Sequence, residues 1–148
     1  MKFIFKLTEV SQELLLKYPP YAVDGNLTII IRNSVFFNEE GISLLDLALS
    51  INGWLHELKS NPLADFDYSA DEYQENPVIY LTSLNTAQHM LHSAWVPGDS
   101  ELILETAEIK RCFRSFLHEL DTIIQQDYGV AFSDMRFFNS PWPTIYPA

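Results

Sequence analysis

One short stretch of the sequence combines many side chains that could do chemistry. Residues 65–75, DFDYSADEYQE, contain five of the twenty acidic residues of the chain and neither lysine nor arginine. Three aromatic residues, Phe66, Tyr68 and Tyr73, lie between the acids. Such a stretch can bind calcium, supply a catalytic carboxylate, contact a basic protein or form a plain solvated loop. Spacing and composition rank these four interpretations.

The calcium-loop interpretation fails on spacing. An EF-hand loop needs acids at alternate positions, a central glycine and a closing glutamate. A loop that starts at Asp65 has Ala70 at the glycine position and Asn76 at its end. A loop that starts at Asp67 has Glu72 and Val78 at those positions. We therefore predict no bound metal and no cofactor.

A second interpretation pairs a carboxylate with a histidine. A small hydrolase or a metal-assisted enzyme would use Asp65, Asp67 or Asp71 together with His89 or His92. The two histidines are three positions apart in a predicted strand, where successive side chains point to opposite faces, so they cannot bind one metal ion together. Ordinary surface or core histidines are the simpler explanation.

The only cysteine, Cys112, excludes an intramolecular disulfide and a cysteine-based zinc site. Lys110, Arg111 and Arg114 flank it, but its helical phase places it with apolar residues, which predicts a buried and inert thiol. The sequence contains no nucleophile elbow and no phosphate-binding glycine loop. We therefore predict a protein that is not an enzyme.

The net charge of the chain limits the classes of partner that it is expected to bind. The 148 residues carry a formal net charge of −11, and 47% of them are hydrophobic, as in a globular domain. This charge opposes binding to nucleic acid and to anionic membranes, and it favours a basic protein partner. The N-terminus lacks the pattern of a signal peptide, and no run of residues is apolar enough to span a membrane. We expect a cytoplasmic protein.

Apolar periodicity predicts the elements that must position these residues. Alternation predicts strands at residues 3–10 and 26–33, with a turn at Asp24-Gly25 and a hairpin that begins at Asn33-Ser34. Further strands are predicted around residues 76–86, 87–98 and 101–105.

Helical spacing of apolar residues predicts two long amphipathic helices, at residues 43–60 and 106–127. Ser43 and Asp46 resemble a capping box at the start of the first helix. Gly53, in the middle of that helix, is costly and is expected to mark close packing.

The predicted fold is a single α+β domain over residues 1–148, with a mostly antiparallel sheet and the two long helices packed against it. Residues 130–148 are rich in proline and aromatic residues, and we expect them to lie on the body as an extended tail.

The aromatic residues of the acidic stretch favour a docking surface over a plain solvated loop, because aromatic anchors are enriched at protein interfaces. We expect residues 65–75 to form an exposed connection in which the carboxylates orient a cationic partner and the aromatics anchor it. The predicted partner-binding residues are Asp65, Phe66, Asp67, Tyr68, Asp71, Glu72, Tyr73 and Glu75.

Several segments carry a family resemblance: FFNEE before a helix with GWLHEL, then DFDYSADEYQENPVIYL, then a helix with FLHEL and a closing DYG. From Met1 to about Gly129 the chain resembles short acidic bacterial proteins that look like immunity proteins encoded beside polymorphic toxins. The resemblance implies a cytoplasmic inhibitor that binds one cognate toxin domain, a nuclease among the candidate targets, and performs no chemistry. The alternatives to this function are the small hydrolase or metal-assisted enzyme and a non-catalytic adaptor subunit.

Overall fold

The N-terminal part of the chain forms a three-stranded antiparallel sheet. The computed structural model describes residues 1–70, 72–97 and 102–139. Alternate residues of the central strand are buried, because strand side chains point to opposite faces in turn. The strands predicted near residues 3–10 and 26–33 are therefore confirmed. In spatial order, the strands are β1 (Lys2–Val10), β2 (Val23–Ile31) and β3 (Ser34–Ser43).

A tight two-residue turn joins β2 to β3. Its central residues, Arg32 and Asn33, have positive φ angles of 51° and 64°. Two successive positive φ angles are typical of the hairpin turn whose twist matches that of the flanking strands. Ile31 pairs with Ser34 across the turn, so the predicted hairpin is confirmed. Between β1 and β2 the chain forms helix α1 (Gln12–Lys17), which the apolar pattern did not indicate.

The later part of the chain forms a second antiparallel sheet, in which spatial order follows chain order. The predicted antiparallel pairing is thus confirmed, but the strands divide into two sheets where one was expected. The strands of this second sheet are β4 (Phe66–Tyr68), β5 (Ile79–Ser83), β6 (Gln88–His92) and β7 (Leu102–Glu105).

Both predicted long helices are present, as α2 (Leu44–Glu57) and α3 (Thr106–Tyr128). Helix α3 has a buried stripe and an exposed face, as the apolar spacing requires. The face of α2 opposite its buried stripe is half-buried, and within this helix only Glu57 is exposed. Gly129 ends α3 in the left-handed conformation, with φ of 71°, which glycine adopts without steric cost. Among the described residues, no helix is long and apolar enough to cross a membrane.

Aromatic rings from both sheets and both long helices meet in one core. The ring centre of Phe113 in α3 lies 5.6 Å from that of Phe3, 5.3 Å from that of Phe66 and 5.5 Å from that of Trp54. Pairs of this kind contribute about 0.5–1.5 kcal/mol beyond the burial of their area. Phe113 therefore connects β1, α2 and β4 into a single α+β domain.

The described end of the chain corrects the expectation of an extended tail over residues 130–148. A 3-10 turn at Phe132–Asp134 is followed by the short helix α4 (Arg136–Asn139). Phe132 and Phe138 are buried and stack with ring centres 4.2 Å apart. Burial of these apolar side chains draws the chain into the core. Residues 140–148 lie outside the described residues.

Two glycines differ from expectation. Asp24 and Gly25 lie inside β2 and not in a turn. A Cβ on Gly25 would lie 2.4 Å from the carbonyl oxygen of Lys6 and 2.5 Å from Cδ1 of Leu44, so glycine permits a close approach there. The expected close packing is absent at Gly53, since no described atom lies within 4 Å of the position of a Cβ, apart from the adjoining residues and the backbone of α2 itself.

Exchange of each glycine for alanine tests this contrast. Gly25→Ala is expected to lower the free energy of unfolding by about 1–3 kcal/mol, because the new methyl group would force a backbone oxygen to move. Gly53→Ala is expected to raise it by up to about 1 kcal/mol, because alanine loses less backbone entropy in a helix. Urea denaturation measures both. Two changes of the same sign would contradict the packing described here.

Candidate functional site: an acidic surface on a buried aromatic base

The acidic stretch begins at β4, whose side chains alternate between solvent and core. Asp65 and Asp67 are exposed, whereas Phe66 is 2% and Tyr68 is 0% exposed. The rings of Phe66 and Trp54 lie 5.8 Å apart in the core. The structure therefore corrects the expectation that the whole stretch is an exposed connection, and it removes Phe66 and Tyr68 from the surface that a partner could contact.

A pair of tyrosine hydroxyls fixes the stretch to the start of α2. The hydroxyl of Tyr68 lies 3.3 Å from that of Tyr73 and 3.4 Å from the carbonyl oxygen of Ser43. The backbone N–H of Ser43 donates to the hydroxyl of Tyr73 at 3.0 Å. Burial is the main cause that raises the pKa of Tyr68, so this hydroxyl stays neutral. Tyr73 is half-buried, and it is the one predicted aromatic anchor with part of its surface open to solvent.

The loop after β4 is closed by Asn76. Its Oδ1 accepts from the N–H of Ala70 at 3.2 Å, and its Nδ2 donates to the carbonyl oxygen of Ala70 at 3.0 Å. The indole N–H of Trp95 donates to the carbonyl oxygen of Glu75 at 2.8 Å. These bonds hold the exposed carboxylates of Glu72 and Glu75 on a defined backbone. Asp71 lies outside the described residues.

Ser43 and Asp46 do not form the predicted capping box. The hydroxyl of Ser43 donates to Oε1 of Glu72 at 3.3 Å, and no side chain caps the first turn of α2 by a hydrogen bond. Asp46 lies near Tyr68, whose hydroxyl favours the ionised form of its carboxyl group. Both residues therefore serve the contact between α2 and the acidic stretch.

Glu9 is paired with Asp24 across β1 and β2, Asp24 is paired with Ser43 across β2 and β3, and the hydroxyl of Ser43 donates to Glu72. We refer to Glu9, Asp24, Asp46 and Glu72 as the acidic cluster. Burial, and then the charge of Glu72, raise the pKa of Asp46 to about 6 from an ordinary value of 3.8. Burial, and then the charges of Glu9 and Glu72, raise the pKa of Asp24. Both causes disfavour the ionised form. The acidic cluster is thus held together at an electrostatic cost.

Ion pairs do not offset this cost within the part of the chain that the structure describes. The ion pairs found there join the N-terminal amine to Glu108 and Lys17 to Glu13, the latter at 3.1 Å. Neither involves the acidic cluster. No group of His, Cys, Asp and Glu among the described residues has the geometry of a metal site. The negative charge is therefore available to cations outside the molecule.

The carboxylates of Asp65 and Asp67 are exposed but held in place. Oδ1 of Asp65 accepts from the N–H of Ser83 at 2.7 Å, and Oδ1 of Asp67 accepts from the hydroxyl of Ser69 at 2.6 Å. A charged group that is already oriented loses less conformational entropy on binding. These two side chains are therefore suited to contact a cationic side chain.

The histidines lie on opposite faces of β6, as their spacing predicts. His89 is buried, with Nδ1 2.8 Å from the hydroxyl of Thr106 and Nε2 3.1 Å from the carbonyl oxygen of Ala64. His92 is half-buried, with its ring centre 4.9 Å from that of Tyr80. Because both nitrogens of His89 have partners in the core, His89 is not paired with a carboxylate of the acidic stretch. The enzyme interpretation gains no geometric support from it.

Cys112 is buried in α3, as its helical phase predicts. Burial is the main cause that raises the pKa of its thiol to about 12. A thiol with such a pKa is almost entirely protonated near neutral pH and is a poor nucleophile.

Comparison with known proteins gives a family but no activity. A family model described as a domain of unknown function, DUF7878, matches residues 3–126, and the chain belongs to this family. No curated protein and no solved structure shows significant similarity to the chain.

The raised pKa of Asp46 predicts that removal of its carboxylate stabilises the fold by an amount that depends on pH. Asp46→Asn keeps an acceptor for Tyr68 and cannot ionise. The folded-state pKa, about 6, lies above 3.8, so ionisation of Asp46 destabilises the fold progressively as the pH rises between these values. The variant should therefore be more stable than the parent protein at about pH 7.5 and equally stable near pH 3.5.

Urea denaturation at a series of pH values measures this effect. Glu40→Gln is the matched control, because it removes one exposed carboxylate outside the acidic cluster. It should change stability little at any of these pH values. The described environment of Asp46 would be contradicted if Asp46→Asn were no more stable than the parent protein near neutral pH. It would also be contradicted if the extra stability of the variant were undiminished in acid.

Proposed function

We propose that this member of the DUF7878 family is an inhibitor that binds a basic protein, and that it acts in the bacterial cytoplasm as an immunity protein against a cognate toxin domain. The observation that carries the proposal is the acidic cluster, whose charge no described cation offsets. The formal net charge of −11 extends the same character to the whole molecule.

The energetics of the acidic cluster favour a cationic partner. In the free protein, burial and mutual repulsion disfavour the ionised forms of Asp24 and Asp46. A lysine or arginine placed beside them would replace repulsion by attraction and would favour ionisation. Part of the cost of holding the carboxylates together would then be recovered on binding. Stability lost to a functional site in this way is common in proteins.

The same charge would also speed the encounter. Complementary potentials steer association and suppress wrong partners, and they raise association rates by roughly 10- to 1000-fold at low salt. An immunity protein must capture its toxin before the toxin reaches its target, so rapid association suits this function. The exposed carboxylates that would supply the steering are Asp65, Asp67, Glu72 and Glu75, with half-buried Tyr73 among them.

A nuclease is one class of toxin that fits this surface. Enzymes that bind RNA or DNA need clustered cations, because the substrate is a polyanion. Carboxylates of an inhibitor can occupy the positions of the phosphates. The resemblance of FFNEE, GWLHEL and DFDYSADEYQENPVIYL to immunity proteins of polymorphic toxin systems supports this proposal.

Co-expression tests the function directly. The probe is the product of the toxin-like open reading frame that the proposal predicts next to this gene, expressed in a bacterial host from an inducible promoter. Growth should stop when the toxin is expressed alone and should be restored when this protein is present. Growth arrest that persists despite folded, abundant inhibitor would overturn the proposal.

Neutralising the exposed acids should slow complex formation. A variant with Asp65→Asn, Asp67→Asn, Glu72→Gln and Glu75→Gln is expected to associate with the toxin on the order of 10- to 100-fold more slowly at low salt, and with a weaker dependence on salt. Surface plasmon resonance at several salt concentrations measures both quantities. Melting temperatures of the variant and its parent check that the fold is retained.

A matched variant separates local from total charge. It carries Glu40→Gln, Glu105→Gln, Glu119→Gln and Asp127→Asn, which remove the same number of exposed charges elsewhere. It should associate faster than the first variant and retain more of the salt dependence of the parent. Equal effects of the two variants would mean that net charge, and not the surface at residues 65–75, controls binding.

A further inference from the structure

A groove of about 550 Å³ separates helix α2 from strand β4 at the beginning of the acidic stretch. Helix α2 contributes Leu49, Gly53 and Glu57 to its lining, and Phe137 of α4 borders it. Asp65 and Asp67 line it from the side of β4. A space of this size accommodates a few side chains.

The charge of this groove has one sign. Its lining includes Glu57, Asp65 and Asp67, all of which are exposed, and no lysine or arginine of the described residues. Arg136 is not part of this lining, and its guanidinium carbon lies 5.3 Å from the ring centre of Phe137.

Gly53 opens the groove on the side of α2. Glycine in the middle of a helix is less favourable than alanine. Apart from the adjoining residues and the backbone of α2, no described atom lies within 4 Å of the position of a Cβ on Gly53, so contacts with the rest of the described chain do not require glycine here. Its effect is to expose the helix backbone to close approach by another chain.

We infer that this groove binds a cationic and partly apolar segment of the protein partner. An arginine or lysine would contact Glu57, Asp65 and Asp67, and a neighbouring apolar side chain would lie over Gly53 between Leu49 and Phe137. The complementarity of charge and the apolar walls select this occupant over an acidic or a fully polar one. The inference rests on the proposed function, to which it adds the chemistry of the segment that the inhibitor recognises.

Peptide probes test the groove without any toxin. The probe is a hexapeptide of sequence GRLRWG, blocked at both ends, and its counterpart GELEWG carries the opposite charge. Addition of GRLRWG should shift the backbone amide signals of Gly53 and Asp67 in a two-dimensional NMR spectrum of the full chain. Binding is expected to be weak, with a dissociation constant on the order of 1 mM, because a short peptide is ordered when it binds. GELEWG should cause no such shifts.

Variants at Gly53 and Ala107 distinguish the groove from the rest of the acidic surface. Gly53→Arg would fill the groove with a long cationic side chain and should weaken binding of GRLRWG at least tenfold. Ala107→Arg adds the same cation at an exposed position of α3 outside the groove and should change binding less than twofold. Thermal melts of both variants check that the fold is retained, as the open surroundings of Gly53 predict.

Several results would overturn the inference. They are equal binding of GRLRWG to the Gly53→Arg variant, equal binding of GELEWG, or signal shifts confined to the acidic cluster. Binding that appears only after removal of residues 140–148 would mean that the chain's own end occupies the groove.

The groove and the proposed function can fail separately. If the Gly53→Arg variant still neutralises the toxin, the groove assignment is wrong and the proposed function stands. If GRLRWG binds in the groove but the parent protein does not neutralise the toxin, the proposed function is wrong and the groove assignment stands.

Discussion

Burial of Phe66 and Tyr68 beneath the acidic stretch determines the position of every carboxylate around it. The ring of Phe66 enters the core beside Trp54 and Phe113, and Tyr68 is fully buried two residues later. Because a strand alternates, Asp65 and Asp67 must then face solvent. The hydroxyl of Tyr68 also brings the stretch to the start of α2, where Asp46 and Glu72 are forced into proximity. Burial of these aromatic side chains thus brings carboxylates near one another.

The proximity and partial burial of these carboxylates lower the stability of the folded protein. Isolated domains commonly offset buried carboxylates with arginine, lysine or several N–H donors, since an unpaired buried charge is costly. In the acidic cluster the hydroxyl of Ser43 acts on Asp24 and that of Tyr68 on Asp46, and these groups offset burial only in part, so the pKa of Asp46 remains at about 6. Under the proposed function, a cation that arrives with the partner would relieve this cost.

Much of the fold could be predicted from local pattern, and the site could not. The apolar spacing of α2 and α3 and the alternation in β1 depend on neighbouring residues, so the sequence reveals them. The acidic cluster joins residues from β1, β2, α2 and the loop after β4, and no local pattern brings them together. Ser43 and Asp46 have the spacing of a capping box, yet the hydroxyl of Ser43 donates to Glu72 and Asp46 lies near Tyr68. Alternation did contain the signal that Phe66 and Tyr68 are buried, but the density of acids obscured it.

The titration of Asp46 in the free protein tests the central claim most directly. The chemical shift of its side-chain carboxyl carbon, followed by NMR from acid to neutral pH, reports the protonation of this one group. The account predicts a midpoint of about 6, because burial and the charge of Glu72 disfavour ionisation. A midpoint at the ordinary value of 3.8 would show that the acidic cluster is fully solvated. There would then be no electrostatic cost for a basic partner to relieve, and the account would be contradicted.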